Sequence, residues 1–390
     1  LILKEEKYFL FVILILSLLM VIKHNPNEDF AYYHLPYIIN FTSDKIIFGL
    51  SNLQLNQGWN SMWLNIKSSY VIPILNYNGV FISNIIFYIL ISLTFFNKIF
   101  TENKKTVPDY ILIFCLFFLV FLNTKFSRLN TYGLDVPSNF LAIYSIFLFF
   151  KYYFDTIEKK DSFITFELLC LFLILATTFR VLNILLFIFP LFLLFKFKIP
   201  IKKIFFSKII IFSSLFFIMW NIQQFIYTGC FIAPYDFTCI QSVSWIDPNI
   251  VGNFQADTSN VNKSFKSYTG DLTREEYLSS LNWIRTWFFR NKIELLEHVA
   301  TFSFPILIFV FLNIFFEKKQ NTEKFKFGTP IIAYITILFI LTFWFIKAPV
   351  IRFGTHLIQL LVFFMFLDLF KNKIKFINIK LLYLILTLGL

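Results

Sequence analysis

Eleven apolar runs limit what this chain can fold into more than any other feature. They fall near residues 8–22, 80–96, 109–123, 137–154, 163–179, 181–195, 209–227, 300–316, 329–346, 355–370 and 381–390. A helix crosses a bilayer with about 20 apolar residues, and with fewer where flanking side chains snorkel. Several runs are shorter than that and their edges are soft, yet together they predict an all-α, polytopic transmembrane helical bundle of about 11 spans. The block 163–195 is divided by Arg180, which argues for two helices joined by a tight turn. Composition points the same way. The 390 residues are 58% hydrophobic and only 15% charged, whereas an ordinary soluble domain is about half apolar and a quarter charged. Phenylalanine supplies 58 residues beside an excess of Lys, Ile and Asn. That bias reads as genomic composition before it reads as individually selected contacts. The chain starts at Leu1 and stops within an apolar run, so both ends are expected to be truncated.

Orientation follows from the basic residues. With the N-terminus inside, the cytoplasmic pieces hold 21 of the 35 Lys and Arg residues in 65 positions, as the positive-inside rule requires. The reverse orientation violates that rule in every short loop. The net charge of +12 is thereby explained by lysines in cytoplasmic loops, and nucleic acid is not an expected partner. All six arginines, Arg128, Arg180, Arg274, Arg285, Arg290 and Arg352, fall on the external side. Topology needs only positive charge. Arginine adds a planar fork that binds phosphate or carboxylate bidentately.

The polar chemistry is concentrated in two external loops, about 23–79 and 228–299. The first contains amphipathic segments suited to the membrane interface. The second is turn-rich, then shows a capping box at Thr273-Arg-Glu-Glu276 and a helical pattern to about Val299. Trp283, Trp287 and Phe288 on that stretch suit a helix lying on lipid headgroups. Cys115 and Cys170 lie in apolar spans and read as packing residues. Cys230 and Cys239 share the second loop and could pair in an oxidising compartment, which spacing alone leaves open. No linker or internal repeat divides the chain, so residues 1–390 are expected to form a single transmembrane domain. There is no Gly-rich phosphate loop, zinc-like Cys/His spacing or G-x-S-x-G elbow.

The densest polar cluster is Asn27-Glu-Asp-Phe-Ala-Tyr-Tyr-His-Leu-Pro36, just after the first run. An Asp there can act as general base on an acceptor hydroxyl, with Tyr32, Tyr33 and His34 as hydrogen-bonding and stacking partners. Taken alone, the cluster reads as a solvated helix cap with interfacial aromatics. Arg180 and Arg352 sit at depths where ionisable groups usually face a cavity. Either could neutralise a lipid phosphate or snorkel to the interface. Arg352, in the short turn Lys347–Gly354, is the stronger candidate, with Arg128 and Asp135 weaker ones.

Asp29-Phe-Ala-Tyr-Tyr-His34 resembles the first-loop D-E-A-Y-Y motif of polytopic GT-C superfamily glycosyltransferases. Tyr33-His-Leu-Pro36, Gly49-Leu-Ser-Asn-Leu53, Asn60-Ser-Met-Trp63, Tyr227-Thr-Gly229 and Ala348-Pro-Val-Ile-Arg-Phe353 resemble an uncharacterised bacterial branch of it. The resemblance implies a GT-C-like fold with external juxtamembrane helices in a bacterial inner (cytoplasmic) membrane, its active site on the periplasmic face. It implies transfer of a sugar from a polyprenyl-phosphate donor to a glycan, lipid or protein acceptor. Asp29 would be catalytic, and Glu28, Tyr33, His34, Arg180 and Arg352 would bind substrate. Phe30 stands where the family commonly has a second acid, so the need for a divalent metal, Mg or Mn, stays open. The alternatives are a surface-polysaccharide (O-antigen-type) polymerase or ligase, whose essential residues should lie in the second loop, and a transporter. Transporters favour internal repeats and broken helices at the midplane; no such repeat is seen, and the polarity is concentrated outside, not mid-membrane.

Overall fold

The computed structural model describes residues 4–22, 29–43, 46–53, 61–102, 110–124, 133–160, 162–233, 235–247, 249–279, 281–315 and 328–370. The run at 381–390, Glu28 and Arg128 lie outside the described residues. The described chain is helical, with two isolated backbone bridges. Its helices are α1 (Lys4–Ile22), α2 (Leu35–Ser43), α3 (Met62–Ser68), α4 (Val80–Glu102), α5 (Tyr110–Thr124), α6 (Asp135–Ile157), α7 (Phe163–Phe179) and α8 (Ile188–Lys196). There follow α9 (Ile201–Phe205), α10 (Lys208–Thr228), α11 (Asn249–Asn262), α12 (Arg274–Ser279), α13 (Trp283–Phe315), α14 (Ile331–Lys347) and α15 (Ile351–Phe370). Every apolar run within the described residues lies on a helix. The helices Tyr77–Ile99, Asp135–Ile157, Lys208–Thr228 and Ile351–Phe370 are long and apolar enough to cross a membrane, and shorter apolar helices accompany them. This is consistent with a membrane protein.

The bundle is built around α5 and α6. Helix α5 is apolar on every side, and such a helix is stable only when surrounded. Its side chains from Tyr110 to Leu122 are all buried. Phe363 of α15 packs on Tyr110, Phe114, Phe117 and Phe118 with ring centroids 6.1, 5.5, 5.6 and 5.6 Å apart. A composition-biased excess of phenylalanine is thus used as packing, in edge-on and tilted pairs that the ring quadrupole favours. Helix α10 is the reverse: Ile211, Phe212, Leu215, Ile218, Met219 and Ile222 are exposed. A contiguous apolar face of this kind calls for lipid or a partner rather than water.

The antiparallel run of the helices brings the start of α6, the end of α7, the end of α10 and the turn between α14 and α15 to one end of the bundle. That end carries the polar segments. Residues 46–53 dock there on the end of α10. Gly49 donates its amide to the Ile226 carbonyl (3.0 Å), and the Ser51 hydroxyl donates to the Tyr227 backbone carbonyl (2.9 Å). Gly49 has φ +68°, and a Cβ there would meet the Trp245 carbonyl oxygen at 2.4 Å. Only glycine fits both the left-handed backbone and the close approach.

Two expectations change at this end. The capping box forms: the Thr273 amide and hydroxyl donate to Glu276 Oε2 (2.9 and 2.8 Å), and the Glu276 amide donates to Thr273 Oγ1 (3.3 Å). The helix it starts stops at Ser279, however. A new helix, α13, begins at Trp283 and runs 33 residues to Phe315, joining the expected external helix to the apolar run after it. At ~1.5 Å per residue α13 is about 50 Å long, well beyond the ~30 Å hydrocarbon core. Trp283 and Trp287 are also not on headgroups. Both are buried, in a cluster with Tyr277, Trp344 and Ile351, because α13 stands against the α14–α15 turn; only Phe288 remains half-exposed.

Cys230 and Cys239 form a disulfide, and Cys115 and Cys170 are free thiols. Denatured without reductant, the protein should take up two maleimide equivalents by mass spectrometry, and four after reduction. Four equivalents without reductant would mean that the pair does not form in the cell.

Candidate functional site

Three helix ends and one turn present the charged residues. Asp29 leads into a π-helical turn, Phe30–His34, that continues as α2. Asp135 is the first residue of α6, where the positive end of the helix dipole favours a carboxylate. Arg180 ends α7 in an extended conformation (φ −149°, ψ 120°), its amide bonded to the Ala176 carbonyl. This extended residue is the break expected within 163–195, followed by a short 3₁₀ segment before α8. Arg352 is the second residue of α15. The turn in front of it is held by two indoles: Trp287 Nε1 donates to the Pro349 carbonyl (2.5 Å) and Trp344 Nε1 to the Val350 carbonyl (2.9 Å). Gly354 lets α15 close on Trp344, since a Cβ there would meet the indole ring at 2.6 Å.

These residues form a chain of ion pairs. Arg352 Nη2 lies 3.4 Å from Asp29 Oδ2, Arg352 Nε lies 3.0 Å from Asp135 Oδ2, and Arg180 Nη2 bonds Asp135 Oδ1. Asp135 therefore bridges two guanidiniums. The chain is graded in exposure. The Arg180 side chain is 14% exposed and that of Arg352 is 52% exposed. The inner pair is sheltered and strong, while the outer Asp29–Arg352 contact is long, solvated and easily broken. The Arg180 guanidinium also stacks on the Phe353 ring at 3.6 Å.

A cavity of about 750 Å³ opens over this chain. Asp29, Tyr32, Tyr33, Asp135, Arg180 and Arg352 form one wall of it. Asp257 and Asn262 of α11, with Arg290, Asn291 and Glu294 of α13, face them. Burial, and then the Asp29 charge, push Tyr33 up to about 12, so its hydroxyl keeps its proton and can donate. His34 does not line the cavity. Its ring is buried behind Tyr33 (centroids 4.2 Å apart), and neither ring nitrogen has a hydrogen-bond partner among the described residues. Burial, then the Lys67 and Arg352 charges, hold it down to about 3. Lys67 is itself fully buried beside the Trp63 and Phe81 rings (5.5 and 6.0 Å), and burial lowers it to about 7.

The structure thus brings Asp29, Tyr33, Arg180 and Arg352 together and leaves His34 apart. The sequence under-ranked Asp135, whose position at the start of an apolar run was its only signal. It expected the helical stretch to about Val299 to help close the site, and it did not single out Asp257 and Asn262 of α11. Asp29 and Asp135 are both paired with arginine, and no group of three His, Cys, Asp or Glu residues converges among the described residues.

Fold and site define a helical chain, consistent with a membrane protein, that carries a charged cavity at one end of its bundle. The chain belongs to the family described as a domain of unknown function, DUF8201, whose profile matches residues 2–359. No curated protein and no solved structure matches it.

Two outcomes follow from this geometry. Asp135→Ala strands two guanidiniums, one of them sheltered, and should lower unfolding stability by about 3 kcal/mol, read as a loss in thermal-shift midpoint; an unchanged midpoint would mean the bridge is not structural. His34 has a depressed folded-state value, so it is neutral and costs nothing above its unfolded value of about 6.5. Stability is then lost as pH falls from there towards 3, by about 2 kcal/mol at pH 5. His34→Phe should therefore flatten the fall in melting temperature between pH 7 and 5, whereas an unaltered slope would rule His34 out as its source.

Proposed function

We propose that this protein is a GT-C-type glycosyltransferase that moves a sugar from a polyprenyl-phosphate donor to an acceptor hydroxyl outside the bacterial inner membrane. The observation that carries the reading is the Asp29–Arg352–Asp135–Arg180 chain lining one cavity. The resemblance around Asp29 and Arg352 supports it, as does the one-sided arginine distribution. The lysine asymmetry orients the bundle with the cavity outside, in an architecture of about 11 spans. The Cys230–Cys239 disulfide fits an oxidising compartment on that side.

In this reading the acceptor oxygen attacks the anomeric carbon, and the bond from that carbon to the phosphate oxygen breaks. Asp29 takes the acceptor proton, and the lipid phosphate leaves with the bonding pair. Arg352 and Arg180 neutralise the charge that grows on the phosphate. The weak Asp29–Arg352 contact gives the arriving phosphate a second use. It draws Arg352 away and frees the carboxylate to act as base. Tyr33 donates to a sugar oxygen, and Glu28, which lies outside the described residues, remains a neighbour of Asp29 in sequence.

A second reading, a surface-polysaccharide polymerase or ligase, gains from Asp257, Arg290 and Glu294 of the second loop lining the same cavity. Complementation of a deletion strain separates the two. Asp29→Asn should reduce transfer by about 10²-fold or more, with Arg290→Ala milder. Full activity in Asp29→Asn with loss in Arg290→Ala would replace the transferase reading by the second.

A further inference from the structure

The end of the bundle opposite the cavity carries a separate concentration of charge. Helix α8 ends, α9 turns and α10 starts within residues 196–208. This elbow holds five lysines, Lys196, Lys198, Lys202, Lys203 and Lys208, and no acidic residue. All five are exposed, and none is in an ion pair among the described residues. Lys196 lies over the Phe192 ring at 5.7 Å and Lys203 over the Phe163 ring at 5.6 Å. Residues 151–160, at the same end, behave differently: Lys151 pairs with Asp155 (2.7 Å) and Lys160 with Glu158 (2.5 Å). The elbow is also apolar on its outside. Phe195, Ile201, Phe205 and Phe206 are exposed, the last two by 73% and 82%. Its backbone is nonetheless well tied. The amides of Phe197, Ile199, Lys203 and Phe206 donate to the carbonyls of Leu193, Leu194, Pro200 and Lys202 (2.9–3.1 Å), and Ser207 Oγ caps α10 by accepting from the Ile210 amide (3.1 Å). Unpaired ammoniums beside exposed phenylalanines suit neither bulk water nor hydrocarbon, whereas the headgroup region of a bilayer accepts both.

We propose that the α8–α10 elbow binds anionic phospholipid, its lysines holding the headgroup phosphates and the acyl chains running along the exposed face of α10. The path for those chains continues directly from Lys208: Ile211, Phe212 and Leu215 are exposed on α10. Ile201 and Phe205, four residues apart and so on one side of α9, sit beneath the headgroups. The lysine asymmetry places this end at the cytoplasmic leaflet, where anionic lipids give the surface its negative potential. Topology alone accounts for the number of lysines but not for their lack of acidic partners, nor for the phenylalanines among them. An acidic soluble protein would match the ammoniums equally well. The apolar surface, however, runs on past them along α10 to Ile218, Met219 and Ile222, where a soluble partner cannot follow and an acyl chain can. Each lysine near an anionic surface contributes about fivefold to binding, and because the five are exposed the effect weakens with added salt. No residue of the cavity takes part, so the proposal is independent of the transferase reading.

The test is native mass spectrometry of the full chain released from detergent, titrated with dioleoyl phosphatidylglycerol, dioleoyl phosphatidylcholine and, as a soluble polyanion, hexaglutamate. Phosphatidylglycerol is expected to bind at least tenfold more tightly than phosphatidylcholine, and hexaglutamate more weakly than phosphatidylglycerol. Lys202→Gln/Lys203→Gln should lower the preference for the anionic lipid at least fivefold, and glutamine at all five positions should abolish it. Arginine at the same five positions should restore it. Lys160→Gln, which removes a paired lysine at the same end, should leave the preference unchanged. The double variant keeps the test valid should the variant with five glutamines fold poorly. A wild-type preference in the glutamine variants would overturn the proposal. An equal loss in Lys160→Gln would reduce the effect to net charge and remove the site, and tighter binding of hexaglutamate than of phosphatidylglycerol would replace the lipid by an acidic partner. The readout is lipid binding, not transfer, so failure here leaves the Asp29 reading standing.

Discussion

The bridge from Arg180 through Asp135 to Arg352 is the interaction on which the functional end of this molecule depends. It ties the end of α7, the start of α6 and the start of α15 at one point. None of the three residues is tolerable there alone. A half-sheltered guanidinium without a counter-charge is expensive, and two guanidiniums side by side repel. One carboxylate at a helix N-terminus removes both costs and is favoured by the dipole as well. The Asn139 side chain, one turn further into α6, donates to the Arg352 carbonyl (3.1 Å) and repeats the tie between the same two helices.

Around that bridge the fold supplies rigid supports for the charged side chains of the cavity. The α14–α15 turn is short, and its carbonyls are claimed by indoles from α13 and α14. Arg352 is thereby aimed by packing as well as by its own ion pairs. Helix α13 matters for the same reason. As one long helix it carries Arg290, Asn291 and Glu294 to the far wall of the cavity on a stiff support. Two separate helices would have left that wall free to shift.

Beside the large cavity lies a smaller chamber of about 330 Å³, lined by Arg180, Lys263 and Lys347 and by no carboxylate among the described residues. Arg180 and Phe353 form the partition, and stacking a guanidinium on a ring allows one residue to be cationic towards both sides. Membership of DUF8201 over most of the chain makes the arrangement a property to examine across that family.

The sequence by itself determined the helices, the break at Arg180 and the concentration of polar chemistry in two loops. Apolar run length and lysine placement are local quantities, set by the bilayer's thickness and its charge asymmetry. It also picked out Asp29 and Arg352, because a carboxylate and an arginine beside apolar runs are anomalous without reference to anything distant. It could not weigh Asp135, which looks like any helix-starting acid until two arginines from elsewhere in the chain converge on it. Nor could it see that Trp283 and Trp287 are buried, since a tryptophan's neighbours decide whether it meets lipid or protein. Lys263 and Lys347 are 84 positions apart in the sequence, and only tertiary packing makes one chamber of them. His34 stood inside the motif yet is turned behind Tyr33, because a helical turn can aim only some of its side chains at a cavity and must pack the rest.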